Sequence, residues 1–163
     1  MKLNKTRILI AVVALFILIQ FIPASRTNPP AEIEINAPAE VKAILERSCY
    51  DCHSNNTTWP FYSYIAPVSW LVAKDVMEGR RHVNFTTWNQ YDADRLADIF
   101  DDLYDEIDEG EMPLWFYVPL HPKSKLSETD KNILKDWAVQ AAADINLDEN
   151  AEIGSEIEDE HDD

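Results

Sequence analysis

The only two cysteines of this chain lie three positions apart, and a histidine directly follows the second. The segment reads Cys49-Tyr50-Asp51-Cys52-His53. Two thiols one helical turn apart match the separation of the two vinyl groups of haem, and the adjoining imidazole can ligate the iron. The pattern therefore predicts covalent, c-type attachment of one haem through Cys49 and Cys52, with His53 as the proximal iron ligand.

Three other uses of the same residues stay open. A redox-active dithiol of the thioredoxin kind has cysteines at this spacing, but it normally opens a helix in a βαβ unit. A zinc site would need a fourth ligand, such as His82 or His121, and a structural disulfide could form in an exported protein. The export segment described below favours haem, because covalent haem attachment occurs outside the bacterial cytoplasm.

The iron then has either an open sixth position or a sixth ligand. The candidates are the methionines and histidines away from the chain ends: Met77, His82, Met112 and His121. Met112 is the predicted ligand, because it follows Gly110 and precedes Pro113 and so lies on a loop rather than on a helix face. His82 is a less favoured sixth ligand. Met77 is expected to pack within its helix, and His121 is expected to lie at a surface turn.

The elements that must position these residues are helical. Apolar residues recur at helical spacing over residues 39–48, 68–78 and 92–109 and in a last helix from Ser127 to about residue 143. Gly79 and Gly110 are the expected C-terminal residues of the second and third helices, and Ser127 with Asp130 forms the expected capping box of the last. No segment alternates long enough to predict a strand, so the predicted fold is all-α.

Two predicted loops, residues 54–67 and 80–91, are rich in aromatic residues. They contain Trp59, Phe61, Tyr62, Tyr64, Phe85, Trp88 and Tyr91. Loops are usually polar, so these aromatic residues indicate either a large flat apolar ligand or ordinary packing of the loops over the core.

The two ends of the chain differ from its middle. Lys2, Lys5 and Arg7 precede an apolar run over residues 8–22, which is typical of an export signal. We expect residues 1–26 to form an uncleaved transmembrane anchor and residues 27–38 a linker to a haem-binding domain over 39–147. The localisation expected from this is single-pass in the bacterial inner membrane with the domain in the periplasm, or soluble in the periplasm if the signal is cleaved. Residues 148–163 form an acidic tail that is expected to be disordered.

The charge of the chain limits its partners. With 30 Asp and Glu against 14 Lys and Arg, the net charge is −16. Nucleic acid is excluded as a partner, because phosphate binding needs a basic surface. A redox partner with a basic docking surface is expected instead, together with membrane contact through the anchor.

Several blocks in a fixed order carry a resemblance to a known family. They are Ser48 to Asn55 around the cysteines, Trp59-Pro60, Ile65-Ala66-Pro67, Glu78-Gly79-Arg80, Asn84-Phe85, Trp88, Gly110-Glu111-Met112-Pro113, Tyr117, His121 and the helix from Leu126-Ser127 to Trp137. The chain resembles the small bacterial c-type haem-binding domain family, which is related to class I cytochromes c. The resemblance implies an exported monohaem protein, often membrane-anchored, with His53 and Met112 as axial ligands. It also implies that residues 39–48 and 127–143 are the crossing terminal helices of a cytochrome c fold.

Two classes of function follow from a bound haem. Electron transfer is the first, since histidine–methionine ligation in an apolar, aromatic surround favours a high reduction potential; the protein would then be an electron carrier rather than an enzyme. The alternative is a haem-based sensor or a peroxidase-like enzyme with an open distal site. Such an enzyme would need a distal polar group, which only Arg80, Arg81 or His82 could supply.

Overall fold

The computed structural model describes residues 4–159, with side chains described over residues 4–145. Its α-helices are α1 (Lys5–Ile19), α2 (Ala39–Ser48), α3 (Tyr50–His53), α4 (Val68–His82), α5 (Ala93–Asp108) and α6 (Glu128–Asp159). Single 3₁₀ turns lie at Phe61–Tyr64, Trp88–Gln90 and Pro122–Ser124. None of residues 4–159 belongs to a strand, so the predicted all-α class is confirmed.

The N-terminal helix α1 is shorter than the apolar run that contains it. It has 15 residues, which at 1.5 Å per residue is about 22 Å, against a hydrocarbon core of about 30 Å. Gln20, which follows the helix, contacts the domain: its side chain accepts a hydrogen bond from Ala66 N at 2.9 Å and donates one to Ala66 O at 3.1 Å.

Among the described residues, no helix combines the length and the apolar character that crossing a bilayer requires. The predicted transmembrane helix within residues 1–26 is therefore wrong. The predicted localisation as a single-pass protein of the bacterial inner membrane is wrong with it, and the expected membrane contact through an anchor loses its basis.

The segment between α1 and α2, predicted as a linker, packs against the loop that follows α4. Ile35 is 3% exposed, and its N–H donates to Phe85 O at 2.8 Å. Glu32 N donates to Thr86 O at 2.9 Å, and Trp88 N donates to Ile33 O at 2.9 Å. These backbone hydrogen bonds fix the loop that carries Phe85.

The hydrophobic core joins α2 to the C-terminal half of the chain. Val41, Ile44 and Leu45 form the buried face of α2 and belong to one cluster with Leu134 of α6 and with Phe85. Helix α6 also packs along α5, where the rings of Phe100 and Trp137 meet edge to face at 5.1 Å. The segment that follows α2, which carries the two cysteines, is thus attached to tightly packed helices.

The termini of α5 and α6 follow local signals in the sequence. The Asp92 side chain accepts from Arg95 N at 2.9 Å at the start of α5, and Gly110 adopts a φ of +75° just after its end. Ser127 N donates to Asp130 Oδ2 at 2.8 Å and Asp130 N donates to Ser127 Oγ at 3.1 Å, which is the predicted capping box.

The far end of the chain is described only in part. The backbone of α6 continues to Asp159, beyond the predicted end near residue 143. Residues 160–163 and the side chains after residue 145 lie outside the described residues. The predicted disorder of the acidic tail at 148–163 therefore stays a prediction.

Candidate functional site

Both cysteines and the histidine lie on one turn, which we call the cysteine turn (residues 49–53). Cys49 ends α2, where its N–H donates to Leu45 O at 2.8 Å. Its carbonyl then accepts from Cys52 N at 3.1 Å and from His53 N at 2.9 Å, which starts α3. The two thiols are free. The structure thus places Cys49, Cys52 and His53 on one turn.

Helix α4 packs directly on the cysteine turn at Gly79. A Cβ on Gly79 would lie 3.2 Å from Cys52 Cβ and only 2.6 Å from Cys52 O, and the second distance is shorter than Cβ contacts in proteins. The helix continues through this position to His82, so the predicted helix end at Gly79 is wrong. The glycine is required because α3 and α4 are in backbone contact there.

Arg80, the next residue of α4, holds the segment that leaves the cysteine turn. Its Nε donates to Ser54 O at 2.7 Å, and its Nη2 donates to Thr57 Oγ1 at 2.7 Å. Its Nη1 donates to Thr27 O at 2.8 Å. One guanidinium therefore connects α4 to residues 54–57, directly after His53, and to Thr27 near the N-terminus. With these bonds it is not available as a distal acid–base group.

The His53 ring has a defined orientation. Its Nδ1 lies 3.3 Å from Val83 O, so the Nδ1–H is assigned as the donor and Nε2 keeps a free lone pair. Burial lowers the pKa of His53 below its usual value, although the Val83 and Gly79 carbonyls act in the opposite direction. A partly buried, neutral imidazole with one fixed nitrogen is the state in which histidine ligates a metal.

The thiols of the cysteine turn are poor nucleophiles in this fold. Burial raises the pKa of Cys49 to about 12, and the neighbouring Cys52 adds to this effect. Burial, with the charges of Asp51 and Asp75, raises the pKa of Cys52 to about 12 as well. Reactive dithiols of the thioredoxin kind need a lowered thiol pKa, so that interpretation is disfavoured.

A zinc site is not supported either. Within the described part of the chain, no group of three or more histidine, cysteine, aspartate or glutamate side chains is placed to hold a metal ion. Neither His82 nor His121 therefore completes a four-ligand site with the cysteine turn.

A cleft opens beside Cys52. It has room for about 100 Å³ of solvent. Its apolar walls are Val68, Leu71, Val72 and Val76 of α4 and, facing them, Leu114 and Leu120. Leu71 is 49% exposed and Leu120 is 64% exposed, so the cleft presents apolar surface that a large apolar ligand would remove from water.

Two tyrosines that the sequence analysis names, Tyr62 and Tyr117, lie on the polar wall of this cleft, with contacts that the sequence did not predict. Tyr117 Oη donates to Asp51 Oδ2 at 2.6 Å, and Tyr62 Oη lies 2.5 Å from His121 Nε2. The rings of Tyr117 and His121 stack with centroids 4.0 Å apart. The sequence signal was the acidic residue between the two cysteines together with the aromatic first loop.

The two aromatic loops have different roles. In the second, Phe85 is buried and stacks between Tyr50 and Trp88, with centroid distances of 5.7 Å and 6.2 Å, which is ordinary core packing. In the first, Phe61 is 79% exposed and Tyr62 lines the cleft. Only the first loop therefore contributes to the cleft.

The candidate sixth ligands are not on the cleft wall. Met112 is partly buried, and its N–H donates to Glu106 O at 3.2 Å; Leu114, two residues later, is the first residue of that segment to line the cleft. His82 is exposed at the end of α4. Met77 is 57% exposed rather than packed. Ligation by Met112 stays a prediction.

Comparison with known proteins gives the family. A family model described as a haem-binding domain matches residues 14–140, which is more than half of the chain. The chain therefore belongs to the haem-binding domain family, and its cofactor is haem. A search of curated proteins and a search of solved structures gave no match.

Proposed function

We propose that this domain binds one haem c covalently through Cys49 and Cys52, with His53 as the proximal ligand, and that it transfers single electrons. The observation that carries the proposal is the cysteine turn: two free thiols and one oriented imidazole within five residues, beside an apolar cleft. Spacing and chemistry are those of c-type attachment.

The residues around the turn fit such a group. Gly79 leaves the backbone at Cys52 unobstructed by a side chain, and the hydrogen bond to Val83 O leaves His53 Nε2 free to donate its lone pair. Haem, when bound, supplies an Fe(III)/Fe(II) couple that exchanges one electron at a time. The apolar side chains of the cleft exclude water and disfavour additional positive charge, which raises the reduction potential of such a couple.

We propose Met112 as the sixth ligand, with His82 as the less favoured candidate. Met112 is supported by its position two residues before the segment that forms one cleft wall, in which Leu114, Phe116, Tyr117 and Leu120 line the cleft. A thioether ligand favours the reduced iron and a closed site, which suits an electron carrier.

A basic redox partner is supported by the distribution of charge. Seven carboxylates of α5 are exposed: Asp94, Asp98, Asp101, Asp102, Asp105, Glu106 and Asp108. A surface of this sign attracts a positively charged partner, and the association weakens as salt screens it.

A haem-based sensor with an open sixth position is the second candidate. The observation that favours it is the absence of Met112 from the cleft wall. The peroxidase form of this alternative has less support, because Arg81 and His82 are exposed and do not line the cleft, whereas Arg80 binds Ser54 and Thr57.

The test uses full-length protein expressed in a host that attaches haem c. We expect haem to remain with the polypeptide on a denaturing gel and to be lost in the Cys49→Ser Cys52→Ser variant. Reduced protein that binds CO slowly would support a closed electron-transfer site, whereas rapid binding would support the sensor. Wild-type protein that loses its haem on denaturation would overturn covalent attachment.

A further inference from the structure

Asp51, between the two cysteines, connects the cysteine turn to two other segments. Its Oδ1 accepts from Thr58 N at 2.9 Å, and its Oδ2 accepts from Tyr117 Oη at 2.6 Å. The two carboxylate oxygens therefore bind the loop after α3 and the segment after α5. Asp51, Thr58 and Tyr117 all line the cleft beside Cys52.

The segment that carries Tyr117 is internally ordered, so a contact at one residue positions the whole of it. Tyr117 N donates to Leu114 O at 2.9 Å, and His121 N donates to Tyr117 O at 3.1 Å. We call residues 114–121 the cleft-wall segment. It begins two residues after Met112, whose N–H is held by Glu106 O at 3.2 Å.

His121 makes a second set of contacts that holds the cleft-wall segment in place. His121 stacks on Tyr117 with an angle of 7° between the ring planes, and its Nε2 is paired with Tyr62 Oη. This contact connects the cleft-wall segment to the loop over residues 61–64. Among the hydrogen bonds and ring contacts of the described residues, the one between Tyr117 and Asp51 is the only one that connects the cleft-wall segment to the cysteine turn.

The hydrogen bond between Tyr117 and Asp51 is of a strong kind. A phenol that donates to a carboxylate makes a charge-assisted bond, and the partly buried site limits competition from water. Burial, together with the negative charge of Asp51, raises the pKa of Tyr117. The phenol therefore keeps its proton and remains a donor through the neutral pH range.

We propose that Asp51 and Tyr117 are positioning residues, whose hydrogen bond fixes the cleft-wall segment against the cysteine turn and thereby limits the access of external ligands to a haem bound at that turn. The inference rests on the proposed attachment of haem at Cys49 and Cys52. It assigns a role to the residue between the cysteines that attachment chemistry alone does not require.

The test compares Tyr117→Phe with Tyr91→Phe in the holoprotein. Both variants remove one phenolic hydroxyl that makes a close hydrogen bond, but Tyr91 Oη accepts from Asn84 N at 2.8 Å and does not line the cleft. Tyr117→Phe keeps the aromatic ring that stacks on His121. We expect CO to bind the reduced Tyr117→Phe protein about tenfold faster or more, as losing one hydrogen bond to a charged group predicts.

Two further readouts separate positioning from general destabilisation. In Tyr117→Phe the midpoint potential should shift, and amide hydrogen exchange should accelerate within residues 114–121 while that of α5 is unchanged. Asp51→Asn keeps the size of the side chain and removes its charge. It should change the CO-binding rate, the midpoint potential and the amide exchange in the same direction, and it replaces Tyr117→Phe as the test variant if that protein folds poorly.

Two results would overturn the inference. One is a folded Tyr117→Phe protein with the CO rate and the potential of the wild type; the other is an equal change in Tyr91→Phe. Failure of the proposed attachment has a different signature, because it would show as non-covalent haem in the wild type before any variant is compared.

Discussion

The backbone of Gly79 in α4 lies directly against the carbonyl group of Cys52. A Cβ at position 79 would come within 2.6 Å of Cys52 O, so the distance between α4 and the cysteine turn depends on the absence of a side chain there. Arg80, the next residue, then holds the chain beyond His53. These two neighbours determine where the cysteine turn lies relative to the cleft.

Gly79→Ala should destabilise the protein by about 1–3 kcal/mol, because the added methyl group must displace a packed backbone. The yield of attached haem should fall as well, since Cys52 is the residue displaced. Chemical denaturation and haem staining would measure the two effects. Met77→Ala is the control, because Met77 is on the same helix and is 57% exposed; an equal loss in this control would contradict the explanation.

Arg80→Lys should cost about 2–3 kcal/mol, because a lysine cannot reproduce the forked hydrogen bonds to Ser54, Thr57 and Thr27. The matched control is Arg81→Lys. The Arg81 side chain is 70% exposed and is paired with Glu78 at 3.8 Å, so its replacement should change stability by less than about 0.5 kcal/mol. Urea denaturation of both variants would measure this difference in the free energy of unfolding, and equal losses would contradict the role given to Arg80.

The raised thiol pKa values predict a loss of stability at high pH in the haem-free protein. Each thiol ionises near pH 9 when unfolded but only near pH 12 in the fold. Below pH 9 neither state is ionised and the contribution of the thiols is complete. Between pH 9 and 12 the unfolded state releases protons that the folded state keeps, so stability falls as pH rises.

Denaturation of the wild type and of Cys49→Ser Cys52→Ser at pH 8 and pH 11 would measure this contribution. The wild type should lose more stability than the variant over that interval. Parallel losses would show that the thiols titrate normally in the fold.

Gln20→Ala should weaken the attachment of α1 to the rest of the domain. The variant loses both hydrogen bonds to Ala66, which are worth about 1–2 kcal/mol together, and exchange of the Ala66 amide hydrogen should accelerate. Gln140→Ala is the comparison, since Gln140 is exposed and donates to Asp144 within its own helix. An unchanged Ala66 exchange rate would contradict the role of Gln20.

Features that depend on residues close together in the sequence could be predicted from local sequence signals. The cysteine turn, the capping box at Ser127 and the helix end at Gly110 were all predicted, because a turn, a cap and a residue of positive φ are properties of a few consecutive residues. The candidate haem site was predicted from the same kind of local signal, and its role stays a prediction.

Features that depend on distant residues were missed or wrong. Gly79 carries the same local signal as Gly110, but its neighbour is Cys52 on another helix, and sequence periodicity does not report such a contact. Gln20, just after α1, binds Ala66, which is 46 positions away. The bond from Tyr117 to Asp51 spans 66 positions, and no pattern along the chain predicts it.

The hydrogen bonds from Arg80 to Thr27 and from Gln20 to Ala66 set a practical boundary for anyone who trims this domain. A shortened version that begins at residue 39, where the first core helix starts, would discard backbone partners of Phe85, Thr86 and Trp88 as well as Thr27, one of the partners of Arg80. The smallest fragment that retains these contacts begins no later than residue 20.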